Sequence, residues 1–384
     1  MSRFRISYML GCAAVALTAA AGSQAWAADN VKIGLQLPLS GLMGTIGQQA
    51  LNGAEIAIED VNKDGGVLGG QLELIVEDTE SSPQAAMDGI HKLVDVDKVP
   101  VVLGEISSGR TIPTATYSTS HDVIHIGLGS TSPDIRKIGK NFFNMVATDD
   151  VMGKAMVDVA SKDTGAKDFG IIVMNDPYGV GIANEMTKAV DASGGKVVSR
   201  VLYEVGKTDY RAEVQRLFAG KPASVLSVSW GAVARVIQQQ AWELGYAKDA
   251  NKSWYSAYFS DSVSDCIPET CEGRKGLDIV PGDEDKFNSL RDRIRQRTGK
   301  ADAEVTWYAA VAYDAVRVTA EAMKKANSKD AAELNKVFPD IFASYKGVSD
   351  PDLSVDADGV QAAQVYGTFI YTNGKIEPYT GAAN

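Results

Sequence analysis

Three turns in the sequence combine hydroxyl side chains with glycine, each directly after an apolar run. They are Ser40 and Gly41 in PLSG, Ser107 and Ser108 in GEISSG, and Gly129, Ser130 and Thr131 in LGSTSPD. Hydroxyl groups and free backbone N–H groups at helix N-termini bind a carboxylate through hydrogen bonds and through the positive end of the helix dipole. A single serine there is equally well explained as a helix cap. Three such turns at successive strand ends favour a shared, carboxylate-bearing ligand.

Aromatic residues follow later apolar runs in a similar way. Tyr178 lies in NDPYG, Trp230 in SVSWG and Tyr258 in SWYSAYFSD. Aromatic side chains at strand ends can cover an organic ligand while offering O–H or N–H donors. An isolated aromatic residue is more often part of a core, so the sequence leaves both interpretations open at these positions.

No catalytic arrangement is visible in the sequence. The three histidines, His91, His121 and His125, are expected as surface or core residues rather than as bases. GEISSG is not the G-x-S-x-G elbow, and neither H-E-x-x-H, a P-loop nor a G-x-G-x-x-G dinucleotide loop occurs. The sequence therefore predicts a binding protein without a cofactor, and a secreted hydrolase is the enzymatic alternative.

Cys266 and Cys271, in the stretch CIPETC, are the only cysteines after the N-terminal segment that contains Cys12. In an oxidising compartment, two cysteines so close in sequence are expected to close a small loop as a disulfide. A metal site is disfavoured because no third ligand cluster lies nearby and the histidines are scattered. We therefore expect a structural disulfide and no metal.

Short aliphatic runs alternate with amphipathic segments from Val31 onwards. The run VKIGLQL predicts a strand, and residues 47–62 predict a helix that buries Ala50, Ala54, Ile58 and Val61 on one face. The alternation predicts right-handed βαβ units and parallel sheets covered on both faces. A second series begins after a junction near 147–152, so the chain should form two α/β lobes with a ligand cleft between the carboxyl ends of their strands.

The length and charge of the chain agree with a two-lobed binding protein and argue against a disordered or nucleic-acid-binding protein. The chain has 384 residues, 45% of them hydrophobic, and a formal charge of −11, which is an ordinary globular composition. An acidic chain without a clustered basic surface is a poor partner for nucleic acid. Small-molecule binding by a monomer is the simplest expectation.

The N-terminal segment, residues 1–27, has the pattern of a secretory signal peptide. Arg3 and Arg5 precede an apolar run. Ala25, Trp26 and Ala27 follow it and match the A-x-A pattern of a signal-peptide cleavage site. The apolar run is shorter than the roughly 20 residues of a membrane-spanning helix. We therefore expect cleavage near Ala27 and export to the periplasm.

Four stretches together resemble one family: VKIGLQLPLSG, GAEIAIEDVNKDGGVLGGQLELIVED, VVLGEISSG and NDPYG. They resemble the leucine/isoleucine/valine-binding proteins, which are type I periplasmic solute-binding proteins of ABC importers. The likeness covers nearly all of the chain after the signal peptide. It implies two Rossmann-like lobes that close around a ligand by a hinge and deliver it to a membrane permease.

The resemblance also implies lobe boundaries and site residues. The N-terminal lobe would comprise 29–147 and 283–345, and the C-terminal lobe 148–282 and 346–384. Ser108, Gly129 and Thr131 match positions that hold the carboxylate and amino group of the ligand. Tyr178 matches an aromatic residue of the opposite lobe, and the remaining wall matches the turn at Trp230 and the segment from Tyr258 to Asp261.

The identity of the ligand stays open at this point. A buried ammonium group requires a paired carboxylate, and Asp261 is the candidate from the family pattern. An amino acid of the branched-chain or related type is therefore expected if Asp261 reaches the ligand. If it does not, the aromatic residues favour an aromatic acid, or an amide. A sensor that uses the same closure to signal to a membrane receptor is the alternative to transport.

Overall fold

The computed structural model describes residues 29–381 except 302, 304 and 363, and the predicted signal peptide lies outside the described residues. The first half of the chain alternates strands with helices, as predicted. Its elements are β1 Val31–Leu37, α1 Gly44–Lys63, β2 Leu72–Asp78, α2 Pro83–His91, β3 Val101–Gly104, α3 Ser108–Ser120, β4 Ile124–Gly127 and β5 Phe142–Asn144.

The second series has the same alternation. Its elements are α4 Asp149–Thr164, β6 Asp168–Met174, α5 Pro177–Ala192, β7 Lys196–Tyr203, α6 Arg211–Ala219, β8 Ser224–Ser227, α7 Gly231–Glu243, α8 Ala247–Ala250, β9 Trp254–Ala257, α9 Phe259–Val263, α10 Pro268–Cys271 and β10 Lys275–Ile279. Three helices and two strands complete the chain: α11 Glu284–Thr298, α12 Trp307–Ala326, α13 Ala331–Ser344, β11 Tyr366–Thr372 and β12 Lys375–Pro378.

The strands form two separate sheets, which confirms the predicted α/β fold with two parallel-sheet lobes. The first sheet has the order β2-β1-β3-β4-β5 and is parallel throughout. The second has the order β12-β11-β10-β9-β8-β6-β7. Strands β1, β3 and β4 are almost entirely buried, because helices cover both faces of the sheet.

One edge of the second sheet departs from the parallel arrangement. Strand β11 is antiparallel to β10, and β12 is antiparallel to β11. Thr372 pairs with Lys375, so the connecting loop is the dipeptide Asn373-Gly374, whose φ angles are 52° and 76°. Asn-Gly is the preferred two-residue hairpin loop because both of its residues tolerate positive φ. This antiparallel edge of an otherwise parallel sheet was not foreseen from the sequence.

Helices from the last third of the chain pack on the first sheet, far from their position in sequence. Helix α12 lies against α1, β3 and α13, and α11 contacts α1. Arg293 of α11 donates two hydrogen bonds of 2.8 Å to the Asp60 carboxylate of α1. Between α13 and β11, Gln361 donates its N–H to the oxygen of Asn144 over 3.1 Å. The lobe boundaries given above stay a prediction.

The backbones of α1 and α12 touch at Gly53. A Cβ atom on Gly53 would lie 1.9 Å from the carbonyl oxygen of Ala309. Both helices present small buried residues here, including Ala50, Ala54 and Ala310. Because Gly53 has no side chain, the main chain of α1 packs directly against the main chain of α12. None of the described helices is long and apolar enough to cross a membrane.

We expect Gly53→Ala to destabilise the protein, because α12 must move away from α1 to accept one methyl group. Overpacking of this kind costs about 1 to 3 kcal/mol, which urea unfolding followed by circular dichroism would measure. Asn52→Ala, at the preceding position of the same helix, is the control and should cost much less. Equal stabilities of the Gly53→Ala variant and the parent would contradict the close approach.

Candidate ligand-binding site

A pocket lies between the two lobes at the carboxyl ends of their strands. Its cavity volume is about 30 Å³, and it is lined by Met43, Ile106, Ser107, Ser108, Gly129, Thr131, Tyr178, Trp230, Tyr258 and Tyr308. The first turns of α3 and α5 lie against each other beside it, since a Cβ atom on Gly109 would lie 3.8 Å from Cδ of Pro177. The two lobes are therefore in contact, and the pocket is a closed cleft.

The turn before α3 is held by the buried carboxylate of Glu105. Its Oε2 accepts the N–H groups of Ile106, over 2.7 Å, and Ser107, over 2.9 Å. Its Oε1 accepts the Thr79 hydroxyl, over 2.6 Å, and forms an ion pair with Nε of Arg110 at 2.9 Å. The N–H of Ser107, expected to be free for a ligand, is therefore already used by the protein.

Glu105 and Arg110 were missed by the sequence reasoning. The signal was available, because GEISSGR places an acid and a base on either side of the serine pair. The guanidinium of Arg110 also donates to Sδ of Met43 over 3.2 Å. Met43 lines the pocket, so Arg110 fixes a wall residue as well as the turn.

Ser108 connects the turn after β3 to the turn after β4. Its Oγ accepts the N–H groups of Thr131 and Ser132, each over 3.2 Å. A hydroxyl oxygen that accepts two hydrogen bonds still has its own hydrogen to donate. Ser107, by contrast, makes no side-chain cap bond to α3. The structure therefore does not support the alternative that Ser107 serves only as a helix cap.

Ser130 was predicted as a site residue, but it faces away from the pocket. Its hydroxyl contacts the Thr111 hydroxyl of α3 and lies 3.5 Å from the oxygen of Ile106. It is fully buried beneath α3 and does not line the cavity. Successive side chains in an extended turn point in opposite directions, so Ser130 turns inward where Gly129 and Thr131 face the cleft. This placement corrects the prediction for Ser130.

The opposite wall of the pocket is aromatic. Tyr178 and Trp230 stack with ring centroids 5.8 Å apart. Tyr258 lies 6.1 Å from Trp307, which stacks on Tyr308 at 3.9 Å. Sequence reasoning missed Trp307 and Tyr308, although the aromatic pair at the start of a long helix was a visible signal. Aromatic faces therefore surround most of the cavity.

The hydroxyls of Tyr178 and Tyr258 are buried and have no hydrogen-bond partner in the structure. Burial raises the pKa of both phenols well above the usual value, so they are neutral donors. Two capping carboxylates position them. Asp176 accepts the N–H of Gly179 over 2.7 Å at the start of α5, and Asp278 accepts the N–H of Ser260 over 2.7 Å just after Tyr258.

Asp261, expected against the ligand ammonium, does not line the pocket. It is half-buried in the first turn of α9. Burial raises the pKa of Tyr308, and the nearby negative charge of Asp261 raises it further. The structure thus corrects the placement of Asp261.

Asp149 is the acid that the structure buries beside the site. It begins α4, it is completely buried, and among the described residues only the Thr131 hydroxyl lies close enough to hydrogen-bond to its carboxyl group. Its N–H donates to the oxygen of Thr131 over 2.7 Å. Burial raises the pKa of the Asp149 carboxyl well above its usual range. Sequence reasoning missed this residue because nothing in VATDDVMG distinguishes a buried aspartate from a helix cap.

The predicted disulfide is absent from the structure, in which Cys266 and Cys271 are free thiols. The Cys271 thiol donates to Oε1 of Gln238 over 3.0 Å and lies in a buried position beside Cys266. Hydrogen bonds, rather than a disulfide, therefore hold this loop. Within the part of the chain that the structure describes, no three His, Cys, Asp or Glu side chains are grouped to hold a metal ion.

Comparison with known proteins places the fold and the pocket in one family. A family model described as periplasmic binding protein matches residues 30–367. The chain therefore belongs to the periplasmic binding protein family, whose members are solute-binding transport components and not enzymes. The resemblance noted in the sequence is confirmed.

Three relatives illustrate the range of the family. The Leu/Ile/Val-binding protein homolog 1 of Brucella suis is 29% identical over 355 residues, which cover 90% of this chain and 91% of that protein. The leucine-binding protein LivK of Thermotoga maritima superposes with a TM-score of 0.80 at 23% identity, covering 91% and 98% of the chains. A solute-binding protein of R. palustris in complex with 4-hydroxybenzoate has a TM-score of 0.78 at 18% identity and 91% and 96% coverage.

We expect Asp149→Asn to change how the stability of the ligand-free protein depends on pH. Below a pH of about 4, both the folded and the unfolded states hold the Asp149 proton. At higher pH the unfolded state loses it while the raised pKa keeps it in the folded state, so stability falls as the pH rises through the folded pKa. The variant has no such proton and should lack this loss.

Urea unfolding between about pH 4.5 and pH 8.5 would measure the difference. The parent should lose stability relative to Asp149→Asn as the pH increases. Asp158→Asn, at an exposed position of the same helix, is the control and should follow the parent. Parallel pH profiles for Asp149→Asn and the parent would show that Asp149 is ionised in the folded protein.

Proposed function

We propose that this protein is the periplasmic substrate-binding component of an ABC importer, which captures a small carboxylate-bearing solute of the amino acid type. The observation that carries the proposal is the closed pocket between the lobes. One wall offers the hydroxyl groups of Ser108 and Thr131, and the other wall offers the aromatic rings of Tyr178 and Trp230. A ligand with an anionic end and an apolar end complements these walls.

The carboxylate of the ligand is proposed to bind near the first turn of α3. The Ser108 hydroxyl keeps its hydrogen for the ligand, because its oxygen accepts two N–H groups from the neighbouring turn. The helix N-terminus adds a partial positive charge. Gly129 leaves room there, since a Cβ atom on it would already lie 3.0 Å from Ile106. Hydrogen bonds to an ionised group contribute roughly 1.5 to 3 kcal/mol each.

An aromatic acid is the second candidate, and a specific feature favours it. None of the residues that line the pocket is acidic, and Asp261 is not among them. An ammonium group would thus meet no carboxylate on the wall, whereas a flat ring would stack between Tyr178 and Tyr258. The R. palustris protein with 4-hydroxybenzoate shows that a protein of this fold can take such a ligand.

Ligand delivery is proposed to follow from closure of the lobes. Tyr178 and Trp230 come from the second lobe, so they complete the pocket only when the two lobes meet. Closure would create the surface that an inner-membrane permease recognises, and ligand affinity would shift the balance toward the closed state. A monomer exported by its signal peptide suffices for this role. A sensor would use the same closure to signal to a membrane receptor. A test of binding to the permease would distinguish a transport protein from a sensor.

A thermal-shift screen of the protein lacking residues 1–27 tests the ligand class. Amino acids, their amides, and aromatic acids such as 4-hydroxybenzoate form the panel. A ligand present at a hundred times its Kd should add about 2.7 kcal/mol of stability. Stabilisation by amides alone would remove the carboxylate from the proposal, and stabilisation by aromatic acids alone would decide for the second candidate.

We expect Ser108→Ala and Thr131→Val to weaken binding, and Ser108→Ala also to lower stability by about 1 to 3 kcal/mol, because the N–H groups of Thr131 and Ser132 lose their acceptor. Each substitution removes a hydroxyl on the carboxylate side of the pocket, which corresponds to a loss of about ten- to a hundredfold in Kd. Ser130→Ala, which alters the neighbouring hydroxyl that faces α3, is the matched control and should keep its affinity. Isothermal calorimetry measures all three, and unchanged affinity in both test variants would place the carboxylate elsewhere.

Truncation of the aromatic wall should weaken binding of an apolar or aromatic side chain. Trp230→Ala removes a large apolar surface, and we expect a loss of about 1.5 to 3 kcal/mol in binding free energy. Trp242→Ala, on the same helix but outside the pocket, is the control. Ligand should also change the tryptophan fluorescence of the parent. Full affinity in Trp230→Ala would make Trp230 a packing residue only.

A further inference from the structure

Asp149 lies directly behind the carboxylate side of the pocket. Its backbone N–H is bonded to the oxygen of Thr131, and the Thr131 hydroxyl lies beside its carboxyl group. Thr131 itself lines the pocket. The carboxyl is completely buried, and apart from the Thr131 hydroxyl no group among the described residues hydrogen-bonds to it. A buried carboxylate in that condition is costly, whereas a neutral carboxylic acid is tolerated.

The charged groups around Asp149 favour its neutral form. The titratable groups that face it are the acids Asp150, Asp176 and Glu185 and the phenols Tyr178, Tyr258 and Tyr366. Among the cations, Arg136 donates to the hydroxyl of Thr148, the residue before Asp149, over 2.9 Å. Burial has the largest effect on the pKa of Asp149, and the neighbouring acids add to the increase. The proton is therefore held by the surroundings as well as by burial.

The protonation of Asp149 decides what Thr131 presents to the ligand. An ionised Asp149 carboxylate, buried and otherwise unpaired, would accept a hydrogen bond from the Thr131 hydroxyl. The Thr131 oxygen would then present only its lone pairs to the pocket. The ionised carboxylate would also place a second negative charge close to the ligand carboxylate in a medium of low dielectric constant. A neutral carboxyl can donate to the Thr131 oxygen instead, which frees the Thr131 hydroxyl hydrogen for the ligand.

We propose that Asp149 is a positioning residue that must be protonated for the pocket to take up a carboxylate, so that ligand capture is linked to a proton. The inference rests on the proposed function, in which the carboxylate lies near Ser108 and Thr131. Where Asp149 is ionised in the empty protein, each anion bound brings one proton from solvent onto a carboxyl oxygen of Asp149. Where it is already neutral, no proton is exchanged.

The experiment measures the affinity of the protein lacking residues 1–27 for 4-hydroxybenzoate and L-leucine by calorimetry from about pH 5 to pH 8.5. Above the pKa of Asp149 the affinity of the parent should fall by up to about tenfold for each pH unit. Asp149→Asn, which keeps a neutral donor in place, should bind as the parent does at low pH and show a flat profile. Asp158→Asn, at an exposed position of α4, should keep the parent's profile.

Proton uptake provides a readout that needs no variant. Titrations of the parent in two buffers of different ionisation enthalpy should report up to one proton taken up for each ligand bound at the upper end of the pH range. A flat profile for the parent, or a large loss of affinity in Asp149→Asn at every pH, would overturn the inference while leaving the proposed function intact. If no carboxylate binds to the parent at any pH, the proposed function fails and the inference fails with it.

Discussion

The buried carboxylate of Glu105 is the interaction on which the first wall of the pocket depends. It joins two loops and a helix, since Thr79 follows β2, Ile106 and Ser107 follow β3, and Arg110 belongs to α3. The carbonyl oxygen of Glu105 also accepts the N–H of Leu128, just after β4. One side chain and its backbone therefore fix the relative positions of all the first-lobe turns that approach the ligand. Breaking a buried pair of this kind typically costs about 3 to 5 kcal/mol.

This arrangement separates the groups that build the site from those that remain for a ligand. Backbone N–H groups in the serine turn are used to hold Glu105, and the Ser108 oxygen is used to hold the next turn. The groups left over are hydroxyl hydrogens and aromatic faces. Hydroxyls can reverse between donating and accepting, whereas N–H groups cannot. The pocket thus combines a rigid frame with a polar lining whose hydrogen-bond direction depends on its neighbours.

The fold could be predicted from the sequence because periodicity reports burial directly. The alternation of aliphatic runs and amphipathic segments gave two α/β lobes, and small residues after the strands identified most of the cleft. The antiparallel edge was also encoded, since Asn373-Gly374 is a hairpin signal, but it lay outside the alternating pattern. Buried polar contacts were not predictable in the same way. The placements of Glu105, Asp149 and Ser130 depend on which side of a turn each side chain faces, and composition carries no information on that.

The backbone contact at Gly53 has a consequence for the size of the pocket. Tyr308, a wall residue, lies in the first turn of α12, one position before Ala309, whose carbonyl oxygen touches Gly53. The distance between α1 and α12 therefore sets how far Tyr308 reaches into the cavity. Gly53 does not contact the ligand, yet it can in this way affect the size of ligand that the pocket accepts. Relatives with bulkier residues at this helix crossing would have a wider or displaced pocket with the same lining residues.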